Sequence, residues 1–280
     1  MPLGFRFMKR KFTMEPASGC RAGYGTMQNM LTFMRKVRVA LTPRNWLLKS
    51  KLANGAIVCG QNRPGFGGRG VYIFRDALEP EFEHVEKFLE PVGVFLDVGA
   101  NTGIYSLKAA KFLGERGGIV IAVEPFPDML ATLNHNIWLN GFTNVRLRSF
   151  CLGEKTGPAD LWMNFRRPAS FSTIRRDEKA ACLSTLIVTL DEVFPWENLN
   201  RLDYVKIDVE GAEQQVLTGG RKTIAKYRPI VQMEFNINDV RLNLPDYTVF
   251  QAPNSPNKVC IPNESPKVEV AGQLGWSKIG

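Results

Sequence analysis

The sequence predicts an α/β fold in which helices flank a mostly parallel sheet, and three observations carry that reading. Short continuous apolar runs recur, at Val94–Val98, Ile119–Val123 and Leu202–Asp208. Between the first two, and again after the second, lie amphipathic segments of helical period, Ile104–Leu113 and Asp128–Asn140. The connections are short and rich in glycine, with Gly99, Gly103, Gly117, Gly118 and Gly141 at the joints. Strands alternating with helices across short loops pair in parallel through right-handed crossovers.

The elements follow in order. Residues 1–26 mix Lys and Arg with Gly, Pro and Ser without a period, and are expected to be poorly ordered. From Met27 to Leu52 a helix is expected, because Met30, Met34, Val37 and Leu41 recur at helical spacing beside Arg35, Lys36 and Arg38, with an interruption at Pro43. Its Met/Leu face is expected to pack on the domain; the rival reading is contact with an anionic membrane surface or nucleic acid. Gly60 to Gly70, with Arg63 and Arg69, reads as a flexible loop before a strand Val71–Phe74, the rival reading being a phosphate cradle or an RNA contact. Pro80–Leu89 reads as a helix with Phe82, Val85, Phe88 and Leu89 on one face. The helix Asp128–Asn140 places Leu130, Leu133 and Ile137 on one stripe and ends at Gly141, a natural helix terminator. A third strand is expected over Val145–Cys151.

Residues 152–201 break the rhythm and read as a β-rich insertion near the mouth of a site. The rhythm resumes with Leu202–Asp208, a helix from Ala212 interrupted at Gly219-Gly220, and a strand Ile230–Phe235. Two more strands, Tyr247–Gln251 and Lys258–Ile261, close the chain. Residues 1–70 thus form a basic N-terminal extension, partly helical and partly disordered, and residues 71–280 one domain.

Composition narrows the class. With 44% hydrophobic residues in 280, the chain can bury a sizeable core. No stretch approaches the roughly 20 apolar residues of a membrane-spanning helix, and the first 30 residues lack the apolar run of a secretory signal. Five scattered cysteines without a C-x-x-C pair argue against a disulfide framework and against zinc, and a cytoplasmic compartment is expected. Residues 1–50 hold ten basic groups against the single acid Glu15, a difference of +9 that equals the net charge of the whole chain. The remainder is electrically balanced.

The turn Asp97-Val98-Gly99-Ala100-Asn101-Thr102-Gly103 is the expected cradle for a ligand. In open α/β sheets ligands sit beyond the carboxyl ends of the strands, and glycine lets backbone approach with no Cβ in the way. Dinucleotide folds place G-x-G-x-x-G here, with a pyrophosphate on the helix N-terminus. This turn is D-x-G-x-x-x-G, and its leading carboxylate repels a pyrophosphate but attracts an ammonium or a sulfonium. S-adenosyl-L-methionine carries both. An ordinary strand-to-helix turn without a ligand is the alternative.

Three successive strands end on or beside an acid, at Asp97, Glu124 and Asp208, and a fourth has Glu234 near its end. Carboxylates are rarely buried without partners. Asp97 would attract the methionine ammonium, and Glu124, followed by Pro125, would accept the ribose hydroxyls. The end of the third strand, including Phe150 and Cys151, would border the adenine. Capping of the following helices is the competing use of these acids. In Lys206-Ile207-Asp208-Val209-Glu210-Gly211-Ala212-Glu213, Asp208 is the first candidate to orient or deprotonate an acceptor hydroxyl and Glu210 the second. Glu213 reads as a cap, and His135 as a helix-surface residue.

Taken together, FLDVGANTG, AVEPFPDMLATLNHNIWLNG, VTLDEVF and DYVKIDVEGAEQQVLTGG resemble the FkbM-type family of S-adenosylmethionine-dependent methyltransferases, from about Val71 to Ile261. The resemblance implies a Rossmann-like class I methyltransferase, a seven-stranded sheet with one antiparallel strand. It implies transfer of a methyl group to a hydroxyl of a sugar, glycan or polyketide-like small molecule. By motif position, Asp97, Gly99, Ala100, Asn101 and Gly103 would be cofactor-loop residues, Glu124 the ribose ligand and Asp208 a residue near the methyl. No metal set is expected, and a divalent ion held by Asp208 and Glu210 is the alternative. Two other functions compete: an RNA methyltransferase using the basic arm, and a cofactor-binding scaffold without chemistry. The balanced charge of the body, and the lack of an Asn/Asp-Pro-Pro-aromatic run, argue against nucleic acid.

Overall fold

The computed structural model describes residues 22–164, 167–173, 182–234 and 244–279. Most of the expected poorly ordered stretch, part of the insertion and Phe235 lie outside them. In chain order, α1 (Ala22–Leu41) leads to a hairpin of β1 (Leu47–Lys51) and β2 (Ile57–Gln61), then α2 (Gly68–Phe74) and α3 (Pro80–Phe88). The alternating core follows as β3 (Val94–Val98), α4 (Ile104–Gly114), β4 (Ile119–Val123), α5 (Pro127–Asn140) and β5 (Val145–Arg148). Next come β6 (Cys151–Leu152), β7 (Gly157–Asn164), β8 (Arg167–Ser172), β9 (Cys182–Val188) and α6 (Leu190–Val193). The chain closes with β10 (Tyr204–Ile207), α7 (Glu213–Gly219), α8 (Arg221–Tyr227), β11 (Ile230–Glu234), β12 (Tyr247–Gln251), β13 (Asn257–Pro262), α9 (Lys267–Gln273) and β14 (Ser277–Ile279).

The main sheet has the order β14-β12-β13-β11-β10-β3-β4-β5. The five strands from β11 to β5 pair in parallel, and β13 and β14 run against their neighbours. The fold is therefore Rossmann-like, with eight described strands and two reversals where seven and one were expected. The excess comes from the end of the chain, where α9 returns the backbone so that three residues of β14 extend the edge. Alternation along each strand splits the apolar residues between two faces. Phe95, Val120 and Tyr204 pack with α3, α4 and α5, whereas Leu96, Ile121 and Val205 pack with α6, α7 and α8.

Three expectations are corrected. Val71–Phe74 is helical, not a strand: Val71 enters the main core and Ile73 packs with Val39 and Leu48, so tertiary contacts outweigh the local β preference of the run. The helix expected over Met27–Leu52 stops at Leu41, and Leu47–Lys51 is a strand, because Pro43 breaks the helix before the hairpin begins. The strand expected over Val145–Cys151 divides at Ser149-Phe150, with β5 in the main sheet and β6 paired to β9 in a separate four-stranded sheet. The β-rich insertion is that second sheet, of order β6-β9-β7-β8.

Packing is continuous across residue 70, since Leu52, Ala56 and Val58 share a core with Phe82 and Leu107. Two asparagines on α5 fix the hairpin there. Asn136 accepts from Cys59 N at 2.9 Å and donates to Cys59 O at 2.9 Å and to Thr102 O at 3.0 Å. One turn later Asn140 accepts from Ile57 N and donates to Ile57 O, both at 2.7 Å. The two amides thus act as a strand partner for β2, and Asn136 also ties the cradle turn to the same helix. Replacing Asn136 with Ala strands buried backbone groups, so Asn136→Ala is expected to cost about 2–4 kcal/mol in a urea unfolding titration.

Candidate active site

The cradle turn is pressed between two neighbours. Gly99 has φ +77°, and a Cβ there would lie 2.0 Å from the backbone oxygen of Asp208. At Gly103, φ is +87° and a Cβ would lie 2.2 Å from Leu133 Cδ1. Only glycine satisfies both the left-handed backbone and the close approach. The N–H groups of Gly99 and Ala100 both donate to Val123 O at 3.0 Å, binding the turn to the end of β4.

Four charged side chains converge at this edge. Asp97 is buried; its Oδ2 accepts from Ser106 N at 3.1 Å and Ser106 Oγ at 2.6 Å, while Oδ1 has no hydrogen-bond partner. Burial raises its pKa, with the nearby Lys206 opposing. Lys206 sits in β10 with its Nζ 3.0 Å from Asp208 Oδ2, 4.0 Å from Asp97 Oδ1 and 4.8 Å from the centre of the Tyr105 ring. Burial alone disfavours its ammonium, but Asp208 and Asp97 outweigh that and raise its pKa. Glu124 is buried at the end of β4, accepting from Phe126 N at 2.8 Å and from Asn101 N at 2.7 Å. Burial pushes its carboxyl up to about 7, against the two backbone donors.

Two cavities open beside these groups. The first, of about 120 Å³, is bordered by Glu124, Pro125, Phe150, Cys151 and Glu210. The second, of about 290 Å³, is bordered by Asp97, Ala100, Tyr105, Lys206 and Glu79. Gly99, Asn101 and Asp208 belong to both walls, so the two cavities lie side by side there. The structure thus gathers Asp97, Gly99, Ala100, Asn101, Glu124, Pro125, Phe150, Cys151, Asp208 and Glu210 around two adjoining cavities. Gly103 borders neither cavity; it caps α4 and faces Leu133. Glu213 accepts from Val209 N and Gly211 N, bracing the loop that carries Glu210. His135 is exposed on α5 beside Trp138.

Sequence reasoning missed a buried chain beneath the second cavity. Tyr204 donates to Gln232 Oε1 at 2.7 Å, Gln232 donates to Tyr105 Oη at 2.9 Å, and Tyr105 donates to Glu79 Oε2 at 2.7 Å. Lys206 lies over the Tyr105 ring within it. The signal was present, since a lysine inside the apolar strand Tyr204-Val205-Lys206-Ile207 must find a buried partner. Among the described residues no group of three or more His, Cys, Asp or Glu side chains could hold a metal ion.

The methyltransferase FkbM domain matches residues 97–248, more than half of the chain. A protein named Methyltransferase 1 from Beauveria bassiana is 28% identical, over 51% of this chain and 68% of its own length. Among solved structures, methyltransferase FkbM from Methylobacillus flagellatus is 18% identical with a TM-score of 0.43, covering 69% of this chain and 53% of that one. M. capricolum TrmK, solved with S-adenosyl-homocysteine, is 14% identical with a TM-score of 0.38, covering 64% of this chain and 65% of that one. The chain thus spans about half the length of the Methylobacillus protein. With its cradle turn, the acids of β3 and β4 and the loop after β10 all inside the matched region, the chain belongs to the FkbM methyltransferase family.

Proposed function

We propose that this methyltransferase uses S-adenosyl-L-methionine and transfers its methyl group to a hydroxyl of a sugar, glycan or polyketide-like small molecule. The observation that carries the reading is the pair of neighbouring cavities sharing Gly99, Asn101 and Asp208, with Glu124 bordering one and, bordering the other, Asp97, whose Oδ1 accepts no hydrogen bond and lies 4.0 Å from Lys206 Nζ. A buried carboxylate oxygen without a donor is costly, so it fits a cationic ligand group. Asp97 would receive the ammonium of the methionine, and Glu124 the ribose hydroxyls. Phe150, Cys151 and Leu161 would offer an apolar wall to the adenine. When bound, the cofactor supplies an electrophilic methyl on a sulfonium.

The chain's own contribution is orientation and proton handling. Asp208 Oδ2 is held by Lys206, which leaves Oδ1 to accept a hydrogen bond from the acceptor hydroxyl and draw its proton. Because Lys206 is locked between Asp97, Asp208 and the Tyr105 ring, it fixes the direction of Asp208 without touching the acceptor. In-line displacement depends on such positioning.

S-adenosylhomocysteine at a hundredfold excess over its Kd is expected to stabilise the protein by about 2.7 kcal/mol, read as a Tm rise of several degrees. An unchanged Tm would remove the cofactor assignment. Asp208→Asn is expected to keep that stabilisation while lowering turnover by about 10²–10⁴-fold, the usual worth of a positioned proton acceptor. Turnover is followed by mass spectrometry as the gain of one methyl group on a panel of sugars and glycans.

Glu124 adds a pH dependence. Two hydroxyl donors favour its ionised form, so binding of S-adenosylhomocysteine is expected to strengthen as pH rises through about 7 and to weaken below it. Calorimetric titration on either side of that value checks this, and Glu124→Gln should bind more weakly with a flat profile.

A further inference from the structure

Helix α1 carries its apolar stripe on the wrong side for a helix packed on a core. At 3.6 residues per turn, Met27, Met30, Leu31, Met34, Val37 and Leu41 share one face, and all six are exposed. Phe33 on the edge of that stripe is 65% exposed and Leu41 80%. The helix instead meets the body through its other side. Val39 is buried with Leu48 and Ile73, Arg35 donates to Ile73 O at 3.2 Å, and Lys36 lies 5.6 Å from the Phe74 ring. Asn62 fastens the end of the helix by donating to Val39 O at 2.8 Å and Thr42 O at 2.7 Å. The expectation that the Met/Leu face packs on the domain is therefore overturned. Trp46 and Leu47, next in the chain, are 61% and 60% exposed.

The charge around this face has one sign. Between residues 22 and 75 there are nine basic side chains and no acid. Lys36, Arg38, Arg44, Lys49 and Arg69 are exposed among them. An exposed apolar stripe flanked by Arg and Lys, with Trp and Phe at its margins, has the chemistry of a helix lying in a membrane interface. A second copy of this chain would bring the same positive charge against itself, which disfavours a dimer through this face. RNA would find the cations but no use for a stripe of Met and Leu.

We infer that the outward face of α1, continued by Trp46 and Leu47, docks on an anionic lipid bilayer, with the apolar stripe entering the headgroup region and the cations pairing with lipid phosphates. This stands apart from the proposed reaction, since its readout needs neither methyl donor nor acceptor. No helix among the described residues is long and apolar enough to cross a membrane.

The test is cosedimentation of the full chain with vesicles of phosphatidylcholine, alone or mixed with phosphatidylglycerol. Binding is expected to the mixed vesicles and little to the neutral ones, and to weaken as sodium chloride is raised. The double substitution Phe33→Glu/Met34→Glu is expected to lower the partition coefficient about tenfold or more, with an unchanged Tm because both side chains are exposed. Equal partition of the variant, or no binding to the mixed vesicles, would overturn the inference. So would retention of an RNA oligonucleotide that the vesicles fail to displace, or a dimer in sedimentation that the same substitution dissolves.

Discussion

The contact between the Gly99 backbone and the carbonyl of Asp208 sets the geometry of everything around it. A Cβ at residue 99 would sit 2.0 Å from that oxygen, so the turn after β3 and the loop after β10 touch with no side chain between them. The two strands are parallel neighbours with Asp97 beside Lys206. With the gap at Gly99 closed, Lys206 lies within ion-pair range of both Asp97 and Asp208. A larger residue would not merely strain the turn; it would separate the two acids from the lysine that neutralises them.

The row of acids at the sheet edge is not a repeated solution. Each carboxylate meets a different partner, and the partner decides what remains for a ligand. Asp97 uses one oxygen on Ser106 and leaves the other without a hydrogen-bond donor, 4.0 Å from Lys206 Nζ, which suits a further cation. Glu124 uses both oxygens on backbone N–H groups of Asn101 and Phe126, yet burial keeps its proton affinity near neutrality. Those same hydrogen bonds define the turn, so the Glu124 carboxylate holds the cradle in shape as well as bordering the cavity. Asp208 is the most open of the three, with only its Oδ2 held by Lys206. Openness is what a group acting on an incoming hydroxyl requires.

Much of this was legible in the sequence because hydrophobic period and glycine placement are local signals. The runs at Val94–Val98 and Ile119–Val123, the helices after them and the acids that end the strands needed no long-range knowledge. What was lost depended on contacts distant in the chain. The run Val71–Phe74 has strand chemistry and became a helix because its partners are Val39 and Leu48. Lys206 was visible as an anomaly inside an apolar strand, but its meeting with Tyr105 joins residues about a hundred positions apart. Asn136 and Asn140 gave no signal beyond polar residues on a helix, and only the fold turns them toward the edge of β2.

Helix α1 shows the limit most clearly. Periodicity states which residues share a face, and the stripe from Met27 to Leu41 does lie along one side of α1. It says nothing of what the face meets, and here the body takes the polar side. The consequence reaches the cavity through α2, which is only seven residues long. Val71 on that helix borders the second cavity, while two residues later Ile73 packs with Val39 of α1 and its carbonyl accepts from Arg35. About two turns of helix thus join the basic apolar surface to the cavity that Asp97 and Lys206 also border.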